Sequence, residues 1–394
     1  MKIFLIARGY PSKQEPTWGC FEKDQAEALN QLGHQVIILS VDTRFRFYWR
    51  KWGIQCGMHN NIATFNIFLI PYALLFVIPK KIKDMFYAWQ LNLLYKHAVK
   101  QYGTPDIIYS HYLQNTIKAI PLHQKYHIPI VAMEHWSQMA YIPIPKNIIS
   151  TAKQAYASID KLITVSSTLK DNILRQVGFD SFVVPNMVGK EFHYTNPKKK
   201  KKDTIQIITT GRLVPEKHFD MLIQAVTNIS SIPLQLSIIG NGSEKLKLQQ
   251  LVKKLQVADK VRLLGQKSKN EIVTLLQQSD IFVLPSQSET FGVAYIEALA
   301  CGLPIIATDC GGPRDIVTKN NGLLIPINNQ QALEHAIIQL TQNLNQYDRQ
   351  AIATDCQNRF SVDTVAKHIA QILEQTIKES YNLHNSKKSC NFAG

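Results

Sequence analysis

The sequence predicts an α/β protein of two domains, each built on a mostly parallel sheet covered by helices. Three observations support this prediction. In the first half, short apolar runs alternate with helical stretches, which is the spacing typical of βαβ units. A proline and five consecutive lysines at 197–202 then interrupt the pattern. The alternation begins again at Ile205–Thr209, which indicates a second domain of the same class.

We place the first domain at residues 1–187 and the second at 188–365. A C-terminal helix and polar tail over 366–394 are a candidate for packing back on the first domain. With 394 residues, 45% hydrophobic and 19% charged, the chain can give each domain its own core. The apolar run at 1–7 predicts a first strand rather than a secretion signal. The 6 cysteines form no C-x-x-C pair, which favours reduced thiols in the cytoplasm over disulfides or zinc.

The first half begins with a strand, a loop that ends at Gly19, and a helix over about 20–32. Gly19 either lets a ligand approach the backbone closely or serves the turn alone. No G-x-G-x-x-G follows the first strand, so the dinucleotide fingerprint is absent. His135 follows another predicted strand, at the carboxyl end where open α/β sheets present ligands. The predicted strands of this half are Ile3–Ala7, Val36–Ser40, Ile107–Ser110, Ile130–Met133, Leu162–Val165 and Phe182–Val184.

Residues 43–100 differ in composition from the rest of the first domain. Basic and aromatic residues alternate over 44–52, and residues 65–78 are strongly apolar and precede three lysines. The apolar run is too short to span a bilayer and contains Pro71. The composition favours contact with an anionic membrane surface, and the alternative is a helical insertion that packs on its own domain. The net charge of +15 attracts anions in general, and no module signature indicates nucleic acid.

The second half concentrates polar residues around a predicted helix that begins near Gly292 and ends near Gly302. Glu289 lies in the loop before this helix, and Glu297 lies four residues after Val293, which places it on the face expected to pack. The free amides and dipole of the helix N-terminus favour an anion such as phosphate. A carboxylate one turn further on can accept ribose hydroxyls. Together these features indicate a nucleotide site.

Two cations precede this helix in the chain. Arg212 and Lys217 follow the predicted strand at Ile205–Thr209. The arginine side chain can hold phosphate oxygens in a bidentate manner, and the lysine adds a compact charge. Further predicted strands are Leu234–Ile239, Val261–Leu264, Ile281–Leu284 and Leu303–Thr308, and a late helix spans about 361–381.

These residues resemble a known family. The segments GRLVPEK, IIGNGSE, SQSETFGVAYIEALACGLPIIATDCGGPRDIV and NNGLLI are similar to those of the retaining glycosyltransferases of family 4. That family has the GT-B fold, in which two Rossmann-like domains face a central cleft. The resemblance is specific over about 205–327 and looser in the first half. Glu289 and Glu297 reproduce the E-x7-E spacing of the family.

The resemblance implies a role for each matching residue. Arg212 and Lys217 would bind the donor diphosphate, and Glu297 would hold the ribose hydroxyls. Glu289 and the amides of Phe291, Gly292 and Val293 would position the donor sugar and phosphates. Gly19 would let its loop close over the diphosphate, and His135 would contact the donor sugar. The turn at Leu264–Gln266 would meet the nucleobase.

The implied reaction is retaining, metal-independent transfer of a hexosyl or N-acetylhexosaminyl group from a nucleotide-diphosphate sugar to a glycan. The basic and apolar stretch over 43–83 suggests a polyprenyl-diphosphate-linked acceptor, as in capsule, exopolysaccharide or O-antigen synthesis. No D-x-D motif or cofactor signature is present. The expected location is the cytoplasm, peripheral on the inner face of the membrane. A nucleotide-sugar epimerase of the same fold, or a non-enzymatic basic protein that binds lipid or nucleic acid, remain alternatives.

Overall fold

Parallel strands form most of both sheets, because their sequences are apolar runs that can be buried on both faces. The computed structural model describes residues 1–12, 14–15, 18–44, 51–69, 78–196 and 204–390. The chain divides into two compact units. The first comprises Met1–Val165, Lys170–Val184 and Val365–Gly394, and the second comprises Ser166–Leu169 and Pro185–Thr364.

The first unit contains a sheet whose strand order is β3-β4-β2-β1-β5-β6-β7-β8. Its neighbouring strands pair in parallel except β3 and β4, which form an antiparallel hairpin at one edge. The strands are β1 (Lys2–Ala7), β2 (Gln35–Val41), β3 (Gly53–His59), β4 (Ile62–Phe68), β5 (Ile107–His111), β6 (Ile130–Glu134), β7 (Lys161–Thr164) and β8 (Phe182–Val183). The helices are α1 (Cys20–Gln31), α2 (Lys80–Tyr102), α3 (Leu113–Tyr126), α4 (Lys146–Tyr156), α5 (Ser167–Val177) and, at the C-terminus, α12 (Val362–Cys390).

The second unit contains an all-parallel sheet in the order β11-β10-β9-β12-β13-β14. Its strands are β9 (Ile205–Thr210), β10 (Leu234–Ile239), β11 (Val261–Gly265), β12 (Ile281–Leu284), β13 (Ile305–Thr308) and β14 (Gly322–Ile325). Its helices are α6 (Phe219–Asn228), α7 (Lys245–Lys254), α8 (Lys269–Gln277), α9 (Val293–Ala300), α10 (Gln330–Gln342) and α11 (Arg349–Phe360). The α/β class with two parallel-sheet domains is therefore confirmed.

For residues 43–100, the structure corrects one part of the prediction of a membrane-facing segment. Phe65 and Phe68 lie in β4 and are buried in the sheet, so they do not form an exposed membrane-facing segment. The inserted structure begins with a hairpin rather than a helix, and α2 follows it. Residues 45–50 and 70–77 lie outside the described residues, as does the lysine block at 198–202. In the described ranges, no helix has the length and apolar character needed to cross a bilayer.

The C-terminal helix is longer than predicted. The polar composition after Tyr381 predicts a tail, whereas α12 continues to Cys390. Polar residues do not end a helix by themselves, because Lys and Glu have good helix propensity and no Gly or Pro interrupts the segment.

Candidate active site

The two predicted cations follow β9 at the carboxyl edge of the second sheet. Gly211 leads from the strand into a loop, and a 3-10 turn spans Pro215–Lys217 before α6 begins. Arg212 is exposed, whereas Lys217 is largely buried, with 15% of its side chain accessible. The Arg212 side chain can therefore move to meet a ligand, while Lys217 is already fixed.

A glycine-rich loop after β10 holds the Arg212 loop in place. A Cβ at Gly240 would overlap the carbonyl oxygen of Gly211, and a Cβ at Gly242 would overlap the backbone of Leu213. Backbone hydrogen bonds join the two loops, from Gly211 N to Ile239 O at 3.0 Å and from Leu213 N to Asn241 O at 3.0 Å. In the sequence, these glycines stand out only as part of the segment IIGNGSE, although two glycines directly after a strand are a signal of close backbone approach.

Lys217 and Glu289 meet across the point where the strand order of the second sheet reverses. The ammonium of Lys217 pairs with Oε1 of Glu289, and the Ser286 hydroxyl donates to the same oxygen at 2.9 Å. Lys217 follows β9 and Glu289 follows β12, which are neighbours in the sheet although they are not consecutive in the chain. Open α/β sheets bind ligands in the crevice at such a reversal. The structure thus brings two predicted site residues together.

The loop that contains Glu289 ends in a left-handed residue that starts α9. Gly292 has φ 104°, and a Cβ there would meet the ring of Tyr295. Phe291 is buried, and Gly312 fits against its backbone so closely that any side chain at 312 would clash. Gly312 N also donates to Glu289 O at 2.9 Å. The amides that open α9 at Val293 are therefore held in a fixed position, where the helix dipole favours an anion.

Glu297 lies on a different face of α9 from the one predicted. The packed face consists of Tyr295, Ile296, Ala298, Leu299 and Ala300. Val293 and Glu297 do share a face, but both are half-buried. The expectation that Glu297 lies on the packed face is therefore wrong, because the buried positions are offset around the helix from Val293. Because Glu297 is only half-buried, part of its surface remains accessible to solvent.

The predicted nucleobase turn follows β11, two strands away from β9 on the same carboxyl edge. Leu264 is half-buried at the end of the strand, and Gln266 is exposed just after it. Gly240 N donates to Gly265 O at 2.9 Å, so this turn joins the glycine-rich loop. The three loops after β9, β10 and β11 are thus connected through their backbones.

In the first unit, Gly19 precedes α1 in a left-handed conformation with φ 75°. A Cβ at this position would overlap the carbonyl group of Gly9. The glycine is therefore required by the approach of two backbone segments within the loop after β1. This packing requirement agrees with the turn role.

A half-buried arginine lies at the strand-order reversal of the first sheet, between β1 and β5. Arg8 donates to both carboxylate oxygens of Glu22, at 2.8 Å and 3.2 Å, and its guanidinium lies 3.9 Å from the ring centroid of Tyr112. The Glu22 side chain is fully buried. Sequence reasoning missed this cluster, since charged residues in a loop and on a helix usually remain solvated.

His135 lies inside the first unit, with 8% of its surface exposed. The Nε2 atom of His135 is 3.1 Å from Nδ1 of His111. The His135 ring stacks on the rings of both His111 and Phe21. Burial, together with the nearby Arg8 charge, lowers the pKa of His111 to about 3. His111 is therefore neutral at physiological pH, so one imidazole donates the shared proton and the other accepts it.

Glu134 is a buried carboxyl that organises the segment around His135. It accepts hydrogen bonds from the backbone N–H groups of Leu113, His135 and Trp136 and from the Tyr156 hydroxyl. Burial raises the pKa of Glu134 to about 7, and the hydrogen bonds limit the rise. Glu134 is not among the residues that the sequence predicts for the site. Its four partners come from three separate segments, which no local pattern reveals.

Among the residues that the structure describes, no group of three His, Cys, Asp or Glu side chains is arranged to hold a metal ion.

Comparison with protein-family models gives two matches that together cover most of the chain. Residues 192–355 match the family described as Glycosyl transferases group 1, and residues 23–192 match the one described as Glycosyltransferase Family 4. The first match includes Arg212, Lys217, Glu289 and Glu297.

Individual proteins agree with these matches. The chain is 32% identical over 270 residues to an uncharacterized glycosyltransferase of Methanocaldococcus jannaschii, covering 67% of this chain and 73% of that protein. It is 27% identical over 362 residues to a Bacillus subtilis glycosyltransferase named for teichuronic acid biosynthesis, covering 86% and 88%. In fold, it is similar to the sucrose-phosphate synthase of Thermosynechococcus elongatus, with a TM-score of 0.76, 19% identity and coverage of 96% and 99%.

Proposed function

The chain belongs to glycosyltransferase family 4, with the GT-B fold, and from this premise we propose that it moves a sugar from a nucleotide-diphosphate donor to a glycan acceptor with retention of configuration and without a metal ion. Membership of the family makes the protein a sugar-transferring enzyme. The alternative of a non-enzymatic basic binding protein is therefore set aside.

The strongest support for a donor site in the second unit is the position of four of its features. Lys217, Glu289 and the start of α9 lie together at the reversal of the second sheet, and the Arg212 loop is fixed beside them. We assign Arg212 and Lys217 to the diphosphate. A cation and a phosphate charge about 4 Å apart attract by about 4 kcal/mol at an effective dielectric constant near 20. Fixed cations and helix amides of this kind stabilise a leaving group as its charge develops.

The remaining assignments follow the family pattern. Glu289 and the amides of Phe291, Gly292 and Val293 position the donor sugar and its phosphates. Glu297 holds the ribose hydroxyls. The turn with Leu264 and Gln266 meets the nucleobase. In the first unit, Gly19 lets its loop close over the diphosphate, and His135 contacts the donor sugar.

The proposed step keeps the configuration of the anomeric carbon. The bond between that carbon and the β-phosphate oxygen breaks, and its electron pair leaves with the nucleoside diphosphate. The acceptor hydroxyl oxygen forms the new bond on the same face of the sugar. Its proton passes to the departing phosphate oxygen, so no separate protein base is needed. Arg212 and Lys217 compensate the negative charge that develops on the leaving group.

For the acceptor, we propose a lipid-linked glycan, as in the synthesis of capsule, exopolysaccharide or O-antigen. The net charge of +15 supports an enzyme that works close to anionic lipid, peripheral on the inner face of the cytoplasmic membrane. The similarity to a protein named for teichuronic acid biosynthesis is consistent with a polysaccharide product.

A donor screen tests this proposal. The protein is incubated with UDP-, GDP- and other nucleotide sugars and with lipid-linked acceptors, and products are identified by mass spectrometry. We expect transfer from one donor class, an unchanged rate in EDTA, and a product whose anomeric proton coupling matches that of the donor. A product of inverted configuration would disprove the retaining mechanism, and loss of activity in EDTA would disprove metal independence. Epimerised donor formed without an acceptor would select the epimerase instead.

A further inference from the structure

Helix α2 is apolar on two opposite sides. Its inner side packs into the core of the first unit through Tyr87, Leu91, Leu94, Tyr95 and Ala98. On its outer side, Ile82, Met85 and Trp89 are 54%, 65% and 49% exposed. Their spacing of three and then four residues places them on one stripe. One apolar face is enough to pack α2 against its own unit, so the outer apolar face adds no stability within the unit. Clusters of exposed apolar residues mark surfaces that bind a partner.

The same stripe continues with positive charge. Lys96 and Lys100 follow Ile82 by 14 and 18 positions, which returns them to the same side of the helix, and both are exposed. The whole of α2 contains five lysines and a single acidic residue, Asp84. An apolar segment beside a basic one is the composition of helices that lie in a membrane interface and attract anionic lipid.

Trp89 adds a second indication of membrane contact. Its ring stacks on Phe86, with centroids 5.5 Å apart and planes within 16°. Tryptophan combines a large apolar ring with an N–H donor, and it is enriched where membranes meet water. The Phe86–Trp89 pair therefore presents a rigid aromatic surface on the outer side of α2.

We propose that this outer stripe, formed by Ile82, Met85, Trp89, Lys96 and Lys100, docks on a bilayer that contains anionic phospholipid. The apolar half inserts at the boundary of head groups and acyl chains, and the basic half faces lipid phosphates. The proposal rests on the proposed function, in which a lipid-linked acceptor brings the enzyme to the membrane. A second copy of the chain is a poorer fit, since three side chains supply far less than the roughly 800 Å² per partner of a stable interface.

Vesicle binding of the full-length protein tests the proposal. Vesicles of phosphatidylcholine alone are compared with vesicles that also contain phosphatidylglycerol. The apolar variant is Ile82→Ser, Met85→Ser and Trp89→Ser, and the charge variant is Lys96→Glu and Lys100→Glu. A matched control, Leu246→Ser, Leu324→Ser and Ile327→Ser, removes three exposed apolar side chains of the second unit. Circular dichroism checks that each variant folds.

We expect wild type and control to bind anionic vesicles, and the apolar variant to partition at least about tenfold less. The charge variant should lose its preference for anionic over neutral vesicles. The tryptophan emission that wild type has and Trp89→Phe lacks should shift to shorter wavelength on binding. Nucleotide affinity without vesicles should be the same in all variants.

Three outcomes would overturn the proposal. The first is equal binding of wild type to neutral and anionic vesicles. The second is undiminished vesicle binding of the apolar variant. The third is a changed oligomeric state of that variant, measured by light scattering, while its vesicle binding persists. The last outcome would identify a second copy of the chain as the partner. If vesicle binding behaves as expected but no nucleotide binds, the proposed function fails while the docking surface stands.

Discussion

Lys217 binds the carboxylate of Glu289 at the strand-order reversal of the second sheet, 72 residues apart in the chain. The two side chains are the cation assigned to the donor diphosphate and the carboxylate assigned to the donor sugar. The two charges neutralise each other in this ion pair. A diphosphate that enters this site must therefore share or replace Glu289 as the partner of Lys217, which makes the strength of this ion pair a determinant of donor affinity.

Removing either cation should weaken nucleotide binding without unfolding the protein. We expect Arg212→Ala and Lys217→Ala each to lower the affinity for the donor nucleotide about tenfold to a hundredfold, because each loses a charge-assisted hydrogen bond. Turnover should fall as well. Titration calorimetry measures the affinity, and the exposed residues Arg262→Ala and Lys254→Ala serve as matched controls. Unchanged affinity in both test variants would disprove the diphosphate assignment.

Neutralising Glu289 should have the opposite effect on the nucleotide alone. In Glu289→Gln the ammonium of Lys217 is released for phosphate, so we expect the nucleoside diphosphate without its sugar to bind about threefold to tenfold more tightly, a gain of about 1 kcal/mol. Transfer should nevertheless slow, since the sugar loses its carboxylate contact. Calorimetry and initial rates check the two parts. Weaker binding of the nucleoside diphosphate would show that Glu289 does not compete for Lys217.

The assignment of Glu297 to the ribose predicts which of two substitutions impairs donor binding more. Glu297→Gln should raise the KM for the donor less than Glu297→Ala does, because an amide oxygen still accepts one ribose hydroxyl. A donor whose ribose lacks the 2′-hydroxyl gives an internal control. The loss caused by Glu297→Ala should shrink with this analogue, as the partner of the carboxylate is already missing. The reverse order, or an unchanged loss, would argue against a ribose role.

The glycine-rich loop after β10 should affect catalysis through the Arg212 loop. Gly242 has an ordinary backbone conformation, but a Cβ there would overlap the backbone of Leu213. We expect Gly242→Ala to displace Arg212 and lower donor affinity more than tenfold, by analogy with Arg212→Ala. Gly178→Ala is the control. It has φ 88° and open space around it, so it should cost only about 1 kcal/mol of stability and leave donor affinity unchanged.

Apolar runs bounded by Pro or Gly made most of the fold predictable. The strands at Leu234–Ile239 and Ile281–Leu284 have the predicted bounds, because a buried parallel strand is a continuous apolar segment that a loop residue ends. The β3–β4 hairpin was missed, since the apolar run continues past Phe68 and hides the end of β4. Asn60 and Asn61, both with positive φ, were its available signal.

Candidate site residues can be predicted where they lie in a local sequence pattern and not where they depend on packing. Arg212, Lys217 and Glu289 lie in segments whose neighbouring residues single them out as candidates. The Arg8–Glu22 pair depends on the burial of the Glu22 side chain at the reversal of the first sheet, and a sequence does not give the burial of a single charged side chain. The prediction that Glu297 lies on the packed face was wrong for a related reason. The buried face of α9 depends on which elements pack against the helix.

The buried carboxyl of Glu134 predicts a measurable pH dependence of stability. Its pKa is raised from an ordinary value of 4.5 to about 7 in the folded protein. Between these values the folded protein keeps the proton and the unfolded chain does not, so the contribution of Glu134 to the free energy of unfolding falls as pH rises. The full change is about 3 kcal/mol and is complete above about pH 7. Glu134→Gln cannot ionise and should lack this decline.

Urea unfolding of wild type and Glu134→Gln at pH 5, 6, 7 and 8 checks this prediction. The variant should be less stable at pH 5, because its NH2 group only donates and replaces a carboxyl oxygen that accepts hydrogen bonds from its neighbours. The difference should narrow toward pH 8, as wild type loses the contribution of its protonated carboxyl. Glu374→Gln, at an exposed position on α12, should follow wild type at every pH. A difference that stays constant from pH 5 to pH 8 would mean that Glu134 has an ordinary pKa despite its burial.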